Sequence, residues 1–228
     1  MIVVFEGIDG SGKGTQAERL SVRMSARGVD NQLYSFPNYK GTNFGLEIGK
    51  YLNGEFGDFD KILPQFPVML YAMDRYEMKK NIVTDLRSDT VVVIDRYVSS
   101  NIAHQAVRFP ENERASFADW VKRLEYNILE MPKPDFTVFL DVPYEIARKN
   151  ILNKEKRSYT DKDLDMHEKN ADYMNSVYEM YKKIAVEDGW VIIDCVDGNE
   201  MLSEDEITRK VTLELGSRGF PIDCERLI

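Results

Sequence analysis

Residues 5–16 read FEGIDGSGKGTQ, directly after the β-branched run Ile2-Val3-Val4. Gly7, Gly12 and Lys13 keep the spacing of the phosphate-binding pattern G-x-x-x-x-G-K-[ST]. In that pattern glycines let several backbone N–H groups close around a phosphate, the start of the next helix adds positive potential, and the lysine follows the group being transferred. Position 14 departs from it. Glycine stands where a hydroxyl normally reaches Mg2+, which leaves Thr15 as the nearest hydroxyl. A Mg2+ ion would then be held mainly through water and the nucleotide's phosphates, ligands it accepts readily. An aspartate, Asp9, also lies inside the loop.

Three further clusters offer matching chemistry. In VVVIDRYVSSNIAHQ, Asp95 and Arg96 close an apolar run; the carboxylate can hold Mg2+ through water and the guanidinium can clamp a phosphate through two hydrogen bonds. SFPNYK sets Phe36, Pro37 and Tyr39 at the end of a second run. In PVMLYAMDRYE, Tyr71 and Arg75 are four apart, hence on one helix face, where a ring can stack on a base and a cation can hold its phosphate. Taken singly, each has a plainer reading as a loop-fixing pair or a packed core aromatic.

To act together, these clusters must meet at one edge of a sheet. Five apolar, β-branched runs are expected as strands: Ile2 to Phe5, Gln32 to Phe36, Thr90 to Ile94, Phe136 to Leu140 and Trp190 to Ile193. None alternates with polar residues, which indicates a parallel sheet covered on both faces. Between them run helical stripes, such as Ala17, Leu20 and Met24, then Phe117, Val121, Leu124 and Ile128, then Met174, Val177, Tyr178, Tyr181 and Ile184. These read as core-facing. The repeated strand-loop-helix order gives an α/β fold, a doubly wound three-layer α/β/α sandwich with a five-stranded parallel sheet, whose ligands sit at the carboxyl ends of the strands.

At 228 residues, with 43% apolar and 30% charged residues and no linker or repeat, the chain is expected to form one domain over residues 1–228. The net charge of −9 disfavours a general nucleic-acid binder, which needs a basic face. Only two cysteines occur, Cys195 and Cys224, the first residues show no cationic stretch followed by an apolar one, so a secretory route is not expected, and no apolar run reaches membrane-spanning length. A reduced, cytoplasmic setting with inert thiols and no membrane partner is the expectation.

The string GKGTQ resembles adenylate kinases, whereas FEGIDGSGK, FPNY, LYAMDRYE, DRYVSSNIAHQ, PDFTVFLDVPYEIARKN and DMHEKNADYMNSVYEMY, in that order, resemble thymidylate kinases. The ordered set spans most of the first 181 residues and outweighs the shorter string. The resemblance implies a P-loop kinase fold, a reaction of dTMP with ATP and Mg2+ to give dTDP and ADP, and a homodimer. It implies that Gly7, Gly10, Ser11, Gly12, Lys13, Gly14 and Thr15 cradle ATP, with Lys13 spanning donor and acceptor phosphates. Asp9 would bind the 3′-hydroxyl of the acceptor sugar and lie near the metal, with Asp95 and Thr15 as further metal contacts. Arg75 and Arg96 would hold the dTMP phosphate, Phe36 and Tyr71 would pack on thymine, and Asn101 would hydrogen-bond its edge. Pro37, Tyr39, Ser100, His104 and Gln105 would complete that pocket.

Members of this family carry a catalytic arginine either inside the phosphate loop or in a mobile lid. The loop interior here holds no basic residue, so a lid over about residues 148–163 must supply it, with Arg148 and Arg157 as candidates and Lys154 and Lys156 in reserve. His104 stands where many members have a tyrosine beneath the deoxyribose. The final stretch, residues 217–228, has no family counterpart. Two competing functions remain: a kinase for another acceptor such as dUMP, dGMP or a modified pyrimidine nucleotide, and a P-loop ATPase or regulatory module. A guanine-reading N-K-x-D motif is missing from the later strands.

Overall fold

A computed structural model describes residues 1–152 and 170–220. Five strands, β1 (Ile2–Glu6), β2 (Asn31–Ser35), β3 (Val91–Asp95), β4 (Phe136–Asp141) and β5 (Val191–Asp194), pair in the order β2-β3-β1-β4-β5, all parallel. Each lies within a residue of its expected run. The central strand β1 is buried along its whole length, which is why its sequence shows no polar alternation.

Helices cover both faces: α1 (Lys13–Ser25), α2 (Asn43–Leu52), α3 (Gln65–Arg87), α4 (Val98–Ala106), α5 (Glu111–Lys122), α6 (Tyr144–Leu152), α7 (Ala171–Glu187) and α8 (Glu204–Ser217). A short antiparallel hairpin, β6 (Val196–Asp197) with β7 (Glu200–Met201), precedes α8 and had no distinct signal in the sequence. Among the described residues no helix is long and apolar enough to cross a membrane.

Register decides where the chemistry collects. Phe5 pairs with Asp95, and Glu6 with Phe139, so three central strands end side by side and the loops after β1 and β3 leave from one edge. From β1 the chain passes to the edge strand β2, returns to β3 between the two, and then crosses β1 to β4 and β5 on the other side, so the connections after β1 and β3 leave in opposite directions, the reversal at which open α/β sheets hold ligands.

The expected stripes of α1 and α7 face the core, as do Phe117, Val121 and Leu124. Ile128 does not: it is 66% exposed. The cause is a π-helical turn over Arg123–Ile128, whose wider period rotates Ile128 off the stripe. The first half of α3 carries apolar residues on more than one side: it buries Val68 and Ala72 while exposing Phe66, Met69 and Tyr76. Cys195 is buried, and burial raises its thiol to about 12, so it stays protonated and inert. Cys224 lies outside the described residues.

Candidate active site

The phosphate loop links β1 to α1, and α1 begins at Lys13, two residues earlier than the first hydroxyl, Thr15. Gly12 takes a left-handed conformation at the helix start, and Gly10 has φ +82 with the carbonyl of Ala147 so close that a β-carbon would meet it at 2.1 Å. Helix α6 therefore presses on the loop. Asn150, also on α6, donates from Nδ2 to the Gly10 carbonyl at 3.0 Å. Ser11 is buried in the loop, its Oγ without a hydrogen-bond partner among the described residues.

Lys13 is buried and donates to the carbonyl of Ile8 at 3.0 Å, with Oδ1 of Asp9 3.8 Å away. Burial and the neighbouring Arg96 lower its ammonium to about 8, opposed by Asp9, Asp95 and Glu6. Arg96 holds a left-handed backbone, φ 66, a conformation a non-glycine residue adopts only when its surroundings impose it. Its N–H bonds the Phe5 carbonyl at 3.0 Å, and Nη2 donates to Asp9 Oδ1 at 2.5 Å. Asp9, Lys13 and Arg96 thus form one charged group at the ends of β1 and β3.

Beneath it lies Glu6, which the sequence reading had left out of the site. It is fully buried, and its carboxylate accepts from the backbone N–H groups of Tyr97 and Ser100 at 3.0 and 3.1 Å and from Ser100 Oγ at 2.6 Å. It caps α4 from a neighbouring strand, the role that Tyr97, at the helix's own start, does not fill. Burial pushes its pKa up, against the pull of those hydrogen bonds and of Arg96 and Lys13. A glutamate flanked by strand residues inside FEGIDG was the available signal.

A single cavity opens beside the charged group. Twelve residues line it, eleven of them the substrate residues named from the sequence: Asp9, Phe36, Pro37, Tyr39, Tyr71, Arg75, Arg96, Ser100, Asn101, His104 and Gln105. Leu52 is the twelfth. Phe36 is buried against the Tyr97 ring, 6.4 Å between centroids, and its bond to Pro37 is cis. Asn101 donates from Nδ2 to the carbonyl of Val68 at 3.1 Å, and its buried Oδ1 has no hydrogen-bond partner among the described residues. The buried Nε2 of Gln105 has none either. One acceptor and one donor are therefore held in reserve at the pocket wall.

Arg75 differs from Arg96 in its electrostatics. It is buried and faces Glu125 through Nε at 3.1 Å and through Nη2. Burial opposes its charge, but the Glu125 carboxylate outweighs this and raises its pKa. Its charge is matched within the fold, so toward the cavity it offers a fixed direction of donation more than a free cation. Glu125 rides on the π-helical turn after α5, a feature that sequence periodicity did not disclose.

The segment carrying Tyr39 is fixed by two more acids of α3. Asp74 accepts from the Asn38 N–H at 3.0 Å and from the Thr42 hydroxyl; Glu77 accepts from Asn43 and Phe44 N–H at 3.0 and 2.9 Å. His104 packs at right angles to Tyr181, 6.1 Å between centroids, and Tyr173 donates to the His104 carbonyl at 2.7 Å.

Asp95 shows how the loop manages with glycine at 14. A β-carbon there would stand 3.0 Å from Asp95 Oδ2, so the missing side chain makes room for the carboxylate. Asp95 Oδ1 is buried without a hydrogen-bond partner among the described residues. An orphaned carboxylate oxygen beside a phosphate loop fits a hydrated Mg2+ ion. Among the described residues no group of three or more histidine, cysteine or carboxylate side chains is placed to hold a metal ion. Arg148 is exposed on α6. Arg157, Lys154 and Lys156 lie outside the described residues.

A phosphate loop on one side and a slot lined by aromatic side chains and its own cations on the other define a P-loop kinase whose acceptor is itself a small phosphate ester. The family model described as Thymidylate kinase matches residues 5–206, and the chain belongs to the thymidylate kinase family, which phosphorylates dTMP with ATP. Among curated relatives it is 34% identical over 191 residues to the thymidylate kinase of Mycobacterium tuberculosis, covering 83% of this chain and 87% of that one. It is 33% identical over 196 residues to a probable thymidylate kinase of Methanocaldococcus jannaschii, covering 85% and 86%. The thymidylate kinase structure from Candida albicans superposes with a TM-score of 0.72 at 22% identity, covering 95% and 91% of the two chains, and so shares the fold.

Proposed function

We propose that the twelve-residue cavity is the dTMP site and that the γ-phosphoryl group of ATP, cradled by residues 7–15, passes directly to the dTMP phosphate. The observation that carries this is the pocket wall: an unpartnered amide oxygen on Asn101 and an unpartnered amide nitrogen on Gln105, between aromatic residues and one end charged with Arg96. A thymine presents an N–H donor beside carbonyl acceptors, which that pair complements.

Phe36 and Tyr71 pack the base, Asn101 accepts from its N–H, and Arg75, oriented by Glu125, donates into the same slot. Asp9 takes the 3′-hydroxyl, and Tyr39 closes the pocket. At the other end Arg96 holds the acceptor phosphate and Lys13 spans donor and acceptor. The attacking oxygen is already anionic near neutral pH, because a phosphate monoester loses its second proton at about 6, so no general base is needed. Catalysis is then alignment plus neutralisation of charge. Asp95, with help from Asp9 and Thr15, would hold Mg2+, which would neutralise charge on the transferring group when bound. A lid over 148–163 brings Arg148 or Arg157 and excludes water, which would otherwise act as acceptor.

The chain works as one kinase domain over residues 1–228 in the cytoplasm, and as a homodimer. The apolar outer face of α3 supports the dimer, with Phe66, Met69 and Tyr76 exposed at 43%, 42% and 43%. The stripe of Phe117, Val121 and Leu124 is spent on the core and is not available for it. Past α8, Phe220 packs edge-on against Phe136 at 5.6 Å, and residues 221–228 of the expected C-terminal tail lie outside the described residues.

A second reading, a relaxed acceptor range, is favoured by His104, which can donate or accept a hydrogen bond at the pocket wall. The test is coupled ADP release with ATP and Mg2+ and either dTMP, dUMP, dGMP, dCMP, UMP, AMP or no acceptor. Turnover with dTMP far above the others is expected. Preference for another monophosphate would overturn the acceptor, and turnover without acceptor would point to an ATPase.

A further inference from the structure

Arg108 lies just past α4, half-buried and outside the cavity lining. It donates from Nη1 to Gln105 Oε1 at 3.1 Å. Its Nη2 donates to the carbonyl of Phe59 at 2.8 Å and to that of Ile62, and its guanidinium sits 4.2 Å above the Phe59 ring. A guanidinium has donors and no acceptor. The side of the Gln105 amide that faces it must therefore be the oxygen, which leaves Nε2, on the other side of an amide that lines the cavity, buried without a partner among the described residues. Asn101 is fixed in the opposite sense, because Val68 offers it a carbonyl that only nitrogen can bond.

We infer that Arg108 is a specificity-determining positioning residue: by occupying the Gln105 oxygen it decides that the acceptor nucleotide meets a donor at this point. The inference rests on the reading of the cavity as the dTMP site. The arrangement presents one acceptor, Asn101 Oδ1, and one donor, Gln105 Nε2, to a base edge with an N–H beside a carbonyl. Without Arg108 the amide can turn over and offer its oxygen, which would accept from an exocyclic amino group such as that of cytosine. Discrimination between the two bases then falls, because the penalty for an unmatched polar group is removed from the wrong partner. The anchoring of Arg108 to the Phe59 and Ile62 carbonyls gives it the fixed position such a role needs.

The test compares Arg108→Met, Gln105→Ala and the double variant in the full chain, with KM for dTMP and ATP and the ratio of kcat/KM for dCMP over dTMP. Arg108→Met is expected to raise KM for dTMP about tenfold, equal to about 1.4 kcal/mol, while KM for ATP stays within about twofold and the dCMP-to-dTMP ratio rises about fivefold or more. In the Gln105→Ala background the same change should add nothing. Should Arg108→Met fail to fold, Arg108→Lys retains a cation and a donor but not the fork, and a smaller rise in KM for dTMP alone is expected. An unchanged ratio with equal losses toward ATP and dTMP, or full additivity with Gln105→Ala, would overturn the inference. A Gln105→Ala enzyme with unaltered KM for dTMP would overturn it too, and would locate the failure in the reading of the cavity.

Discussion

Arg75 and Glu125 are almost wholly enclosed, at 2% and 0% side-chain exposure, and meet through paired hydrogen bonds between guanidinium and carboxylate. Removing one member of such a pair strands the other charge in a medium of low polarity. Glu125→Ala is expected to cost about 3–5 kcal/mol of stability by chemical denaturation and to raise KM for dTMP, because Arg75 loses its orientation. A loss under about 1 kcal/mol would mean that water reaches the pair.

The pH profile follows from Lys13 and the substrate. Lys13 acts only while charged, and its ammonium is lowered to about 8, so kcat/KM should fall as pH rises through about 8. The acid limb should lie near the second phosphate pKa of dTMP, at about 6. Lys13→Arg, whose cation does not titrate, should be slower yet lack the alkaline limb; a limb that persists in it belongs to another group. For stability the sign is opposite. Between about 8 and its ordinary 10.5 the unfolded chain binds a proton that the folded chain has lost, so this group's contribution to stability rises with pH across that window.

Asp95 is expected to govern the metal dependence. Asp95→Asn keeps the shape and removes the charge, so the Mg2+ concentration giving half-maximal rate should rise about tenfold or more at fixed ATP. An unchanged Mg2+ titration would shift the metal to Asp9 and the phosphates alone.

Single alanine variants at Arg148 and Arg157 should separate the two candidate cations. The residue that reaches the transferring group should lose about 10²–10³ in kcat with little change in either KM, and the other less than about tenfold. Small, equal losses in both would exclude the pair.

Met69→Glu places a charge on the apolar outer face of α3. In sedimentation the parent chain should run at twice its 26.4 kDa mass and the variant at that mass. A variant that remains dimeric would move the interface elsewhere.

The inner strands β1, β3 and β4 were legible because parallel, doubly covered strands are continuous apolar runs, and the cavity residues were legible because they fall in short strings at strand ends. What escaped was the support. Glu6, Asp74, Glu77 and Glu125 each act on backbone or on a side chain far away in sequence: Glu125 is 50 residues from Arg75, and Glu6 is 94 from Ser100. No local spacing encodes such pairs. The exposure of Ile128 escaped for a related reason, since a single wide turn breaks the period on which the stripe was read.

The close approach of Ala147 to Gly10 bears on the engineering of such enzymes. Any side chain at position 10 would run into the backbone of α6, so that position is closed to an added arginine by the packing of a different helix. A cation placed at position 10 would require a new residue and a displaced helix at once, so a graft of a basic residue there should begin with residues 144–152.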